Sequence, residues 1–595
     1  MTTFQQLPAR VVDLIIRFHY EYENTKRNRK VVERVDDFGR LASVCKSMRK
    51  AALPYYHRTL VFQYTRETPY KDEEAEEGVP PPPPPEDERE STEPPWKTNI
   101  KQIAVECRMD AITELIIVSH YDYMMPLEII DALKQMNFHM FKWNNIDTLR
   151  VYQGQDMQEE YEPSEWVTED SLSKLGEYLA TNLPAVKVLD SIDTQGGRLD
   201  LLHTMSAFLK LTINQLTRFR TCNGNNPVFG VRDLPPQITH LDITRRFTVE
   251  ALMLPRMFAP SLKVLHLQML PLTYIWDHFY TNDRNSQELE FTSLESFVVS
   301  FYRPREAIIE TEEMGFELDA ARRNRQRAME VDPAYTELKP SRKRPTFPVL
   351  RRLWVLVYTD HKVGEFLDDF PSAQIQDLRL NGSLNTFKSL NLHRYTSLQR
   401  LEMIYDAGDR LREFPHVKRL WSRVFSIGPQ LQYLKLYQMS AKVVAFPGTS
   451  TCTGLRKLQI GSAMNISVTQ SLLNCLPRLE FLDLHSLIID DDWKMTEKEL
   501  LMRAVEVAKQ PASRLGCTSL LRISIQFQDC RPMLYESALA ITLLVLKISS
   551  LEVLDPKVFS LVEYLENIRK KVMMLAIHDH LDTYRHLVFY HPRTV

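Results

Sequence analysis

The stretch that decides the fold is LQYLKL (431–436), which is followed by LRKLQI (455–460) and LEFLDL (479–484). The three hexapeptides share the pattern apolar-x-x-apolar-x-apolar, and each starts 24 residues after the previous one. The last two apolar positions of each pattern are separated by a single residue, so they point to the same face of a β-strand. A short strand with one apolar face cannot bury that face alone. The pattern therefore predicts strands that stack on neighbouring copies of themselves.

The same pattern recurs through most of the chain. Starts at 238 and 262 are 24 residues apart, and starts at 350, 375 and 398 are separated by 25 and 23 residues. Apolar patterns of this kind with periods of ~20–29 residues are typical of leucine-rich repeats. The further clear instances are IDTLRV (146–151), ITHLDI (238–243), LKVLHL (262–267), LESFVV (294–299), LRRLWV (350–355), IQDLRL (375–380), LQRLEM (398–403) and LLRISI (520–525), and weaker ones are VKVLDS (186–191) and LTRFRT (216–221).

Helix signals lie between or after the predicted strands. PHVKRLWSRVF (415–425) and SVTQSLLNCL (467–476) each place apolar residues on one side of a helix. TEKELLMRAVEVA (496–508) opens with Thr496 and Glu499 at the spacing of a capping box, and PKVFSLVEYLENIRKK (556–571) ends in basic residues. Strand and helix alternating at about 25 residues predict an α/β fold, in which a parallel sheet lines a curved array with helices outside.

Composition divides the chain into regions. Residues 66–97 combine acidic runs with a run of prolines, and we expect them to be extended; the prolines are alternatively a ligand for an aromatic groove. Residues 303–346 are dense in charge and include KPSRKR (339–344), which is either a nuclear address or a solvated loop. We expect proteases to cut both insertions first. The predicted organisation is a helical module at 1–65, the acidic insertion at 66–97, the repeats at 98–532 with the insertion at 303–346, and a C-terminal cap at 533–595.

Several function classes receive no support from the sequence. The seven cysteines are scattered and form no C-x-x-C pair, so we expect thiols in a reducing compartment, cytoplasmic and/or nuclear. The net charge of -3 favours neither nucleic acid nor membrane, and neither is an expected partner. No nucleotide-binding or hydrolase motif occurs, and glycine is scarce, so we predict no enzyme, no catalytic residue and no cofactor. The cluster HDHLDTYRH (578–586) has residue types that bind metals, but we interpret it as a polar strand edge and predict no metal site.

The N-terminal segment carries a family resemblance. Leu7-Pro8 precedes an amphipathic stretch with Val11, Leu14 and Ile15, and FGRLASVCKSMRKAA (38–52) follows a charged link. This arrangement resembles the F-box, a module that docks on the adaptor Skp1 and so joins a cullin-based ubiquitin ligase. The resemblance places adaptor-binding roles on Leu7, Pro8, Val11, Leu14, Ile15, Leu41, Val44, Cys45 and Met48.

Some features depart from the family pattern. Met48 stands where the family usually has Trp, and the link at 19–35 is long. The repeats also lack the asparagine that regular leucine-rich repeats carry, so they are irregular. The alternative for the N-terminus is a plain helical cap on the repeats, because terminal repeats need their open core covered.

The resemblance implies a function. The expected fold is an F-box-like helical module followed by an irregular leucine-rich-repeat solenoid. The expected role is the substrate-recognition subunit of an SCF-type (Skp1-cullin-F-box) ubiquitin ligase, whose partners are a Skp1-like adaptor with its cullin complex and an unknown target protein. The alternative is a stand-alone leucine-rich-repeat scaffold without a ligase role.

The target contacts are predicted from strand alternation. Residues that flank the second apolar position of each pattern point away from the leucine core. Aromatic and arginine side chains there are the types that dominate binding hot spots. A rival interpretation has residues 533–595 folding back over these side chains and burying them as core. The residues predicted to contact the target are Trp354, Arg379, Tyr433, Tyr437 and Phe481.

Overall fold

The computed structural model divides the chain into two compact units, Met1–Gln268 and Met269–Val595. The residues that the structure describes are 49–50, 52–53, 57–64, 96–99, 109–119, 126–135, 143–153, 169–193, 207–209, 211–221, 237–243, 253–268, 289–301, 344–357, 366–383, 387, 390–406, 414–438, 450–488, 496, 499, 517–525, 553–556 and 588–589.

The first unit is built on a parallel sheet. Strand β1 pairs with β2 in the antiparallel direction and with β3 in the parallel direction, and β3 to β8 then follow in chain order, all parallel. The strands are β1 (Thr59–Tyr64), β2 (Trp96–Thr98), β3 (Glu114–Ser119), β4 (Thr148–Gln153), β5 (Val188–Asp193), β6 (Arg218–Thr221), β7 (His240–Ile243) and β8 (Val264–Gln268). Its helices are α1 (Pro126–Gln135), α2 (Glu169–Asn182) and α3 (Met253–Met257), with 3₁₀ turns at Met109–Ala111 and Ile213–Gln215.

The second unit repeats the same arrangement. Its strands follow one another in chain order and every described pairing between them is parallel. They are β9 (Ser296–Phe301), β10 (Arg352–Val357), β11 (Asp377–Ser383), β12 (Arg400–Asp406), β13 (Tyr433–Gln438), β14 (Lys457–Asn465), β15 (Phe481–Ile488), β16 (Arg522–Ile525), β17 (Val553–Pro556) and β18 (Val588–Phe589). Its helices are α4 (Phe414–Val424) and α5 (Ile466–Asn474), with 3₁₀ turns at Ser372–Gln374 and Leu392–Arg394.

Each predicted hexapeptide forms a strand that begins at its third residue. LQYLKL, for example, gives β13 from Tyr433, while the first leucine of the pattern, Leu431, is fully buried in the turn before it. The prediction of parallel strands from the repeated pattern is confirmed for all of the clear instances and for both weaker ones. The described strands and helices together belong to the α/β class.

The turns between repeats are joined by backbone hydrogen bonds. The Leu455 N–H donates to the Cys452 carbonyl at 3.1 Å, and the same bond recurs from Leu479 to Leu476 at 3.2 Å. The residue before one strand also bonds to the start of the following strand. The Gln432 carbonyl, just before β13, accepts from the N–H groups of Arg456 and Lys457 at 2.9 and 3.0 Å, at the start of β14. These bonds satisfy the backbone groups of the turn that precedes each strand.

Two of the predicted helices are confirmed. Predicted stretches 415–425 and 467–476 correspond to α4 and α5, and the Asn465 side chain caps α5 by accepting from the Ser467 N–H at 2.9 Å. Thr496 and Glu499 form both bonds of a capping box, at 2.8 and 3.4 Å. The rest of 496–508 lies outside the described residues.

The sheet begins earlier than the apolar pattern indicates. Strand β1 lies inside the segment predicted as a helical module, and β2 begins at Trp96, inside the predicted insertion at 66–97. The pattern is obscured because His57 occupies the position that leucine takes elsewhere, and it is 2 % exposed. Val61 is buried as well as Leu60 and Phe62, so β1 shows no apolar-polar alternation.

The C-terminal segment also contributes strands to the sheet. Strands β17 and β18 lie within 533–595, and β17 ends at Pro556, where a helix was predicted to start. The remainder of the predicted helix at 556–571 lies outside the described residues, as do most of the insertions at 66–97 and 303–346.

Candidate protein-binding face

One face of the second sheet is polar and partly open to solvent. Leu353, Leu378 and Leu434 point to the buried core, so their neighbours along each strand point to the other side. We define the polar face as the side chains of Arg352, Trp354, Asp377, Arg379, Arg400, Glu402, Tyr433, Lys435, Tyr437, Lys457, Gln459, Phe481, Asp483, Arg522 and Ser524. The in-register parallel pairing aligns these side chains in rows that run across the strands.

All five predicted target-contact residues lie on this face. Trp354, Arg379, Tyr433, Tyr437 and Phe481 are half-exposed, and none belongs to the buried core. Register pairs Trp354 with Arg379, whereas Tyr433 and Phe481 belong to a different row. The structure thus brings the five residues to one face but places them in separate contacts.

The first contact joins a tryptophan to an arginine. The Arg379 guanidinium carbon lies 3.7 Å from the centroid of the Trp354 ring, within the range of a cation–π interaction. The Arg379 Nε atom is 3.5 Å from Asp377 Oδ1 and 3.7 Å from Glu402 Oε2. Arg400 approaches the same two carboxylates at 3.8 and 3.7 Å. Carboxylates therefore contact the edges of these two guanidinium groups, and aromatic rings contact their flat faces.

The second contact is a row in which cations alternate with aromatic rings. Arg400 lies 4.2 Å from the Tyr433 centroid, and Lys457 Nζ lies 5.4 Å from Tyr433 and 4.8 Å from Phe481. The Arg522 guanidinium carbon is 5.5 Å from the Phe481 centroid. Burial lowers the pKa of the Lys457 ammonium and raises the pKa of the Tyr433 phenol.

Tyr437 has a different neighbour. Its ring lies against the backbone of Gly461, so that a side-chain carbon built on Gly461 would be 2.7 Å from the Tyr437 Cγ atom. The register between β14 and β15 shifts just beyond this point, between Ile460 and Ala463. Glycine at 461 therefore allows the tyrosine to lie flat on the sheet.

In the row beside the aromatic row, polar side chains bond to one another. The Tyr433 hydroxyl donates to Gln459 Oε1, and Gln459 Nε2 donates to Asp483 Oδ2 at 2.8 Å. Lys435 Nζ donates to Glu402 Oε1 at 2.7 Å. Glu402 and Asp483 are 9 % and 5 % exposed, so the acidic groups lie deep while the aromatic and basic groups lie outside them.

The first unit carries an ion ladder on the corresponding side of its sheet. Arg150 Nε lies 2.7 Å from Glu114 Oε1, and Arg220 lies between Asp190 and Asp242 at 3.6 and 3.4 Å. His266 Nδ1 lies 2.9 Å from Asp242 Oδ1. Burial raises the pKa of the Asp190 carboxyl, whereas Arg220 and Arg150 lower it.

The ion ladder was not predicted from the sequence, although the repeated apolar pattern indicates where its residues lie. Its residues occupy the same alternate positions of the apolar pattern that identify the polar face, for instance Arg150 in IDTLRV and Asp190 in VKVLDS. Glu114 and Asp190 are 6 % and 8 % exposed. Such buried, mutually paired charges indicate a structural role for the ladder.

The predicted adaptor-binding residues lie outside the described residues. This applies to Leu7, Pro8, Val11, Leu14, Ile15, Leu41, Val44, Cys45 and Met48. The histidine-rich stretch 578–586 also lies outside them. Within the described ranges, no group of three or more His, Cys, Asp or Glu residues is arranged to hold a metal ion.

The described cysteines are free thiols with structural environments. Cys452 and Cys517 are buried, and their sulfur atoms donate to the carbonyls of Val424 and Leu479 at 3.5 and 3.4 Å. Burial raises the pKa of both thiols, which disfavours the nucleophilic thiolate.

Comparison with known proteins leaves the family open. No family model matches the chain, and no curated protein shows significant similarity to it. Across the part of the chain that the structure describes, every helix is too short or too polar to span a membrane.

Proposed function

We propose that this chain is the substrate-recognition subunit of an SCF-type ubiquitin ligase. In this proposal the N-terminal module binds a Skp1-like adaptor and hence the cullin complex, and the polar face binds a target protein. The repeats act as an irregular leucine-rich-repeat solenoid that presents this face. The protein works without a cofactor and in the cytoplasm, the nucleus or both.

The polar face is the observation that carries the target-binding part. Trp354, Tyr433 and Phe481 are half-exposed rather than buried, and each has a basic group stacked on its ring. Aromatic and arginine side chains that are held rigid before binding lose little conformational entropy when a partner arrives. The face is therefore better suited to binding a protein partner than to remaining exposed to solvent.

The adaptor-binding part is supported by the resemblance of the N-terminal segment to the F-box. Its Leu7-Pro8 start, its amphipathic stretch and the segment around Val44 and Cys45 all lie before the first strand of the sheet. The proposed adaptor surface and the proposed target surface are thus carried by different parts of the sequence.

The adaptor proposal is tested with purified components. Full-length protein and purified Skp1 are mixed at micromolar concentration and analysed by size-exclusion chromatography. We expect co-elution, and we expect Leu14→Asp or Val44→Asp to abolish it, because an unpaired carboxylate in an apolar interface is costly. Leu127→Asp is the matched control, since Leu127 is 50 % exposed on α1. Absence of co-elution for the unaltered protein would contradict the proposal.

A stand-alone scaffold is the second candidate, and one observation favours it. Strand β1 joins the end of the proposed adaptor module to the sheet, with Thr59 paired to Glu114. A segment that only caps the repeats would be joined in the same way. Under this alternative the Leu14→Asp and Val44→Asp variants lose thermal stability, while Skp1 binds neither them nor the unaltered protein.

A further inference from the structure

The row that crosses β12 to β16 alternates charge and ring in a regular order. Register aligns Arg400, Tyr433, Lys457, Phe481 and Arg522 side by side. Each of the three basic side chains lies over at least one of the two rings. The result is a strip in which the cations occupy every second strand.

Of the cations in the strip, Arg400 lies within ion-pair distance of Asp377 and Glu402. The two most buried carboxylates of the face also accept hydrogen bonds from residues outside the strip. Glu402 accepts a hydrogen bond from Lys435, and Asp483 accepts one from Gln459. Both acids are buried in the neighbouring row. Lys457 contacts the two rings and forms no ion pair with any described residue. Asp483 in the neighbouring row favours the charged form of Lys457 from a distance, but no described carboxylate lies within ion-pair contact of the Lys457 ammonium.

We propose that this strip binds an extended acidic segment of the target protein, with Asp or Glu carboxylates on the cations and the intervening residues on Tyr433 and Phe481. The inference rests on the proposed function, because it names the partner of the same face. Charge complementarity carries it: a carboxylate over Lys457 would gain a charge-assisted hydrogen bond that no described group provides.

The geometry also sets a spacing for the ligand. Adjacent strands of a sheet are ~4.8 Å apart, so cations on every second strand are separated by roughly 10 Å. A polyproline II segment rises ~3.1 Å per residue with three residues per turn, which places every third side chain on one side at about 9 Å. Acidic residues at every third position therefore match Arg400, Lys457 and Arg522.

A single-stranded nucleic acid is the competing ligand, because basic grooves with stacked aromatic rings also bind bases. Three carboxylates on the same face, Asp377, Glu402 and Asp483, disfavour it. A nucleic acid backbone carries a phosphate at every nucleotide and cannot avoid these groups. An acidic segment places its charges only where the cations lie.

The test uses full-length protein and fluorescent peptides in anisotropy titrations. The probe is a peptide of four Glu-Pro-Pro units, and the controls are four Gln-Pro-Pro units and a peptide of the same composition with its glutamates adjacent. An oligouridylate is the fourth ligand. We expect the spaced acidic peptide to bind most tightly and to weaken as salt rises.

Variants locate the binding to the strip. Lys457→Met should weaken binding of the acidic peptide by about tenfold, which is about 1.4 kcal/mol, because the charged hydrogen bond to the peptide is lost. Lys457→Arg should restore most of the affinity, and Lys187→Met, at an exposed lysine of the first unit, should change nothing. Unchanged melting temperatures exclude unfolding as the cause.

Three results would overturn the inference: equal affinity for the Glu and Gln peptides, an unaffected Lys457→Met variant, or tighter binding of the oligouridylate. Each is distinguishable from failure of the proposed function. If Skp1 does not bind but the spaced acidic peptide does, the ligase role fails and the strip assignment stands. If Skp1 binds but the chain binds all the peptides equally, the strip assignment fails and the ligase role stands.

Discussion

The Arg379 guanidinium lies on the face of the Trp354 indole, 3.7 Å from the ring centroid, and the two residues are register partners on β10 and β11. This pair shows how the polar face is organised: an aromatic ring from one strand holds a cation from the next. A cation–π contact of this kind contributes about 0.5–1 kcal/mol at a partly exposed site.

The first prediction measures that coupling. In a double-mutant cycle with Trp354→Ala and Arg379→Ala, the free energies of unfolding in urea should be non-additive by about 0.5–1 kcal/mol. The cycle with Arg352→Ala in place of Arg379→Ala is the control, because Arg352 lies on the same strand as Trp354 with an exposed side chain. Additivity in both cycles would show that the stacking contributes nothing.

The second prediction concerns the glycine beneath Tyr437. Gly461→Ala places a carbon against the tyrosine ring and should lower the free energy of unfolding by about 1–3 kcal/mol. Combined with Tyr437→Ala, the same glycine substitution should cost much less, because the clashing ring is gone. An equal cost in both backgrounds, measured by chemical denaturation, would refute this explanation of the glycine.

Much of the fold could be predicted from the sequence, because the apolar residue that precedes each strand is recognisable in the repeated pattern. Leu431, Leu455 and Leu479 each precede a strand by the same interval and are fully buried. Strand β1 was missed because His57 replaces that leucine. Strand β3 was missed although ITELII (112–117) carries the pattern, since its alternate positions include the buried Ile116 rather than a polar residue.

The candidate site was predictable only in part. Alternation along each strand indicates which side chains share the polar face, and Trp354, Tyr433 and Phe481 lie there. The ion-pair partners on this face could not be predicted from the sequence. Glu402 lies within ion-pair distance of Arg379, Arg400 and Lys435, and a sequence pattern cannot rank these partners because their geometry depends on side-chain rotamers.

The third prediction addresses the ion ladder of the first unit. Arg220→Met leaves Asp190 and Asp242 without the cation between them and should cost about 3 kcal/mol at neutral pH. Burial already raises the Asp190 pKa and Arg220 lowers it, so the variant raises it further. A raised folded-state pKa favours the protonated native state, so the deficit should shrink as the pH falls.

Urea denaturation across the pH range checks this prediction. Lys187→Met is the control in the same unit, because the Lys187 side chain is exposed and the charges that act on the Asp190 pKa come from other residues. A deficit in Arg220→Met that is independent of pH, or that grows towards acid, would show that Asp190 is not the group responsible.

The fourth prediction concerns alkaline stability. Tyr395 is 3 % exposed, and burial raises its pKa well above the ordinary value of 10.0. Its contribution to stability is therefore complete below pH 10.0 and is lost as the pH rises beyond it, by about 1.4 kcal/mol per pH unit. With rising pH, the free energy of unfolding of Tyr395→Phe should fall less steeply than that of the unaltered protein, as measured by circular dichroism. Parallel stability curves would mean that Tyr395 ionises equally in both states.

The fifth prediction tests the account most directly, because two surfaces on one chain should be separable. Three full-length proteins are captured by a tag from cells, and retained proteins are quantified by mass spectrometry: the unaltered chain, Leu14→Asp, and the combined Trp354→Ala, Tyr433→Ala, Tyr437→Ala variant. Leu14→Asp should lose Skp1 and keep the target, and the combined variant should keep Skp1 and lose the target while circular dichroism shows that it remains folded. Failure of the unaltered chain to retain Skp1, or a combined variant that retains the same proteins as the unaltered chain, would contradict the account.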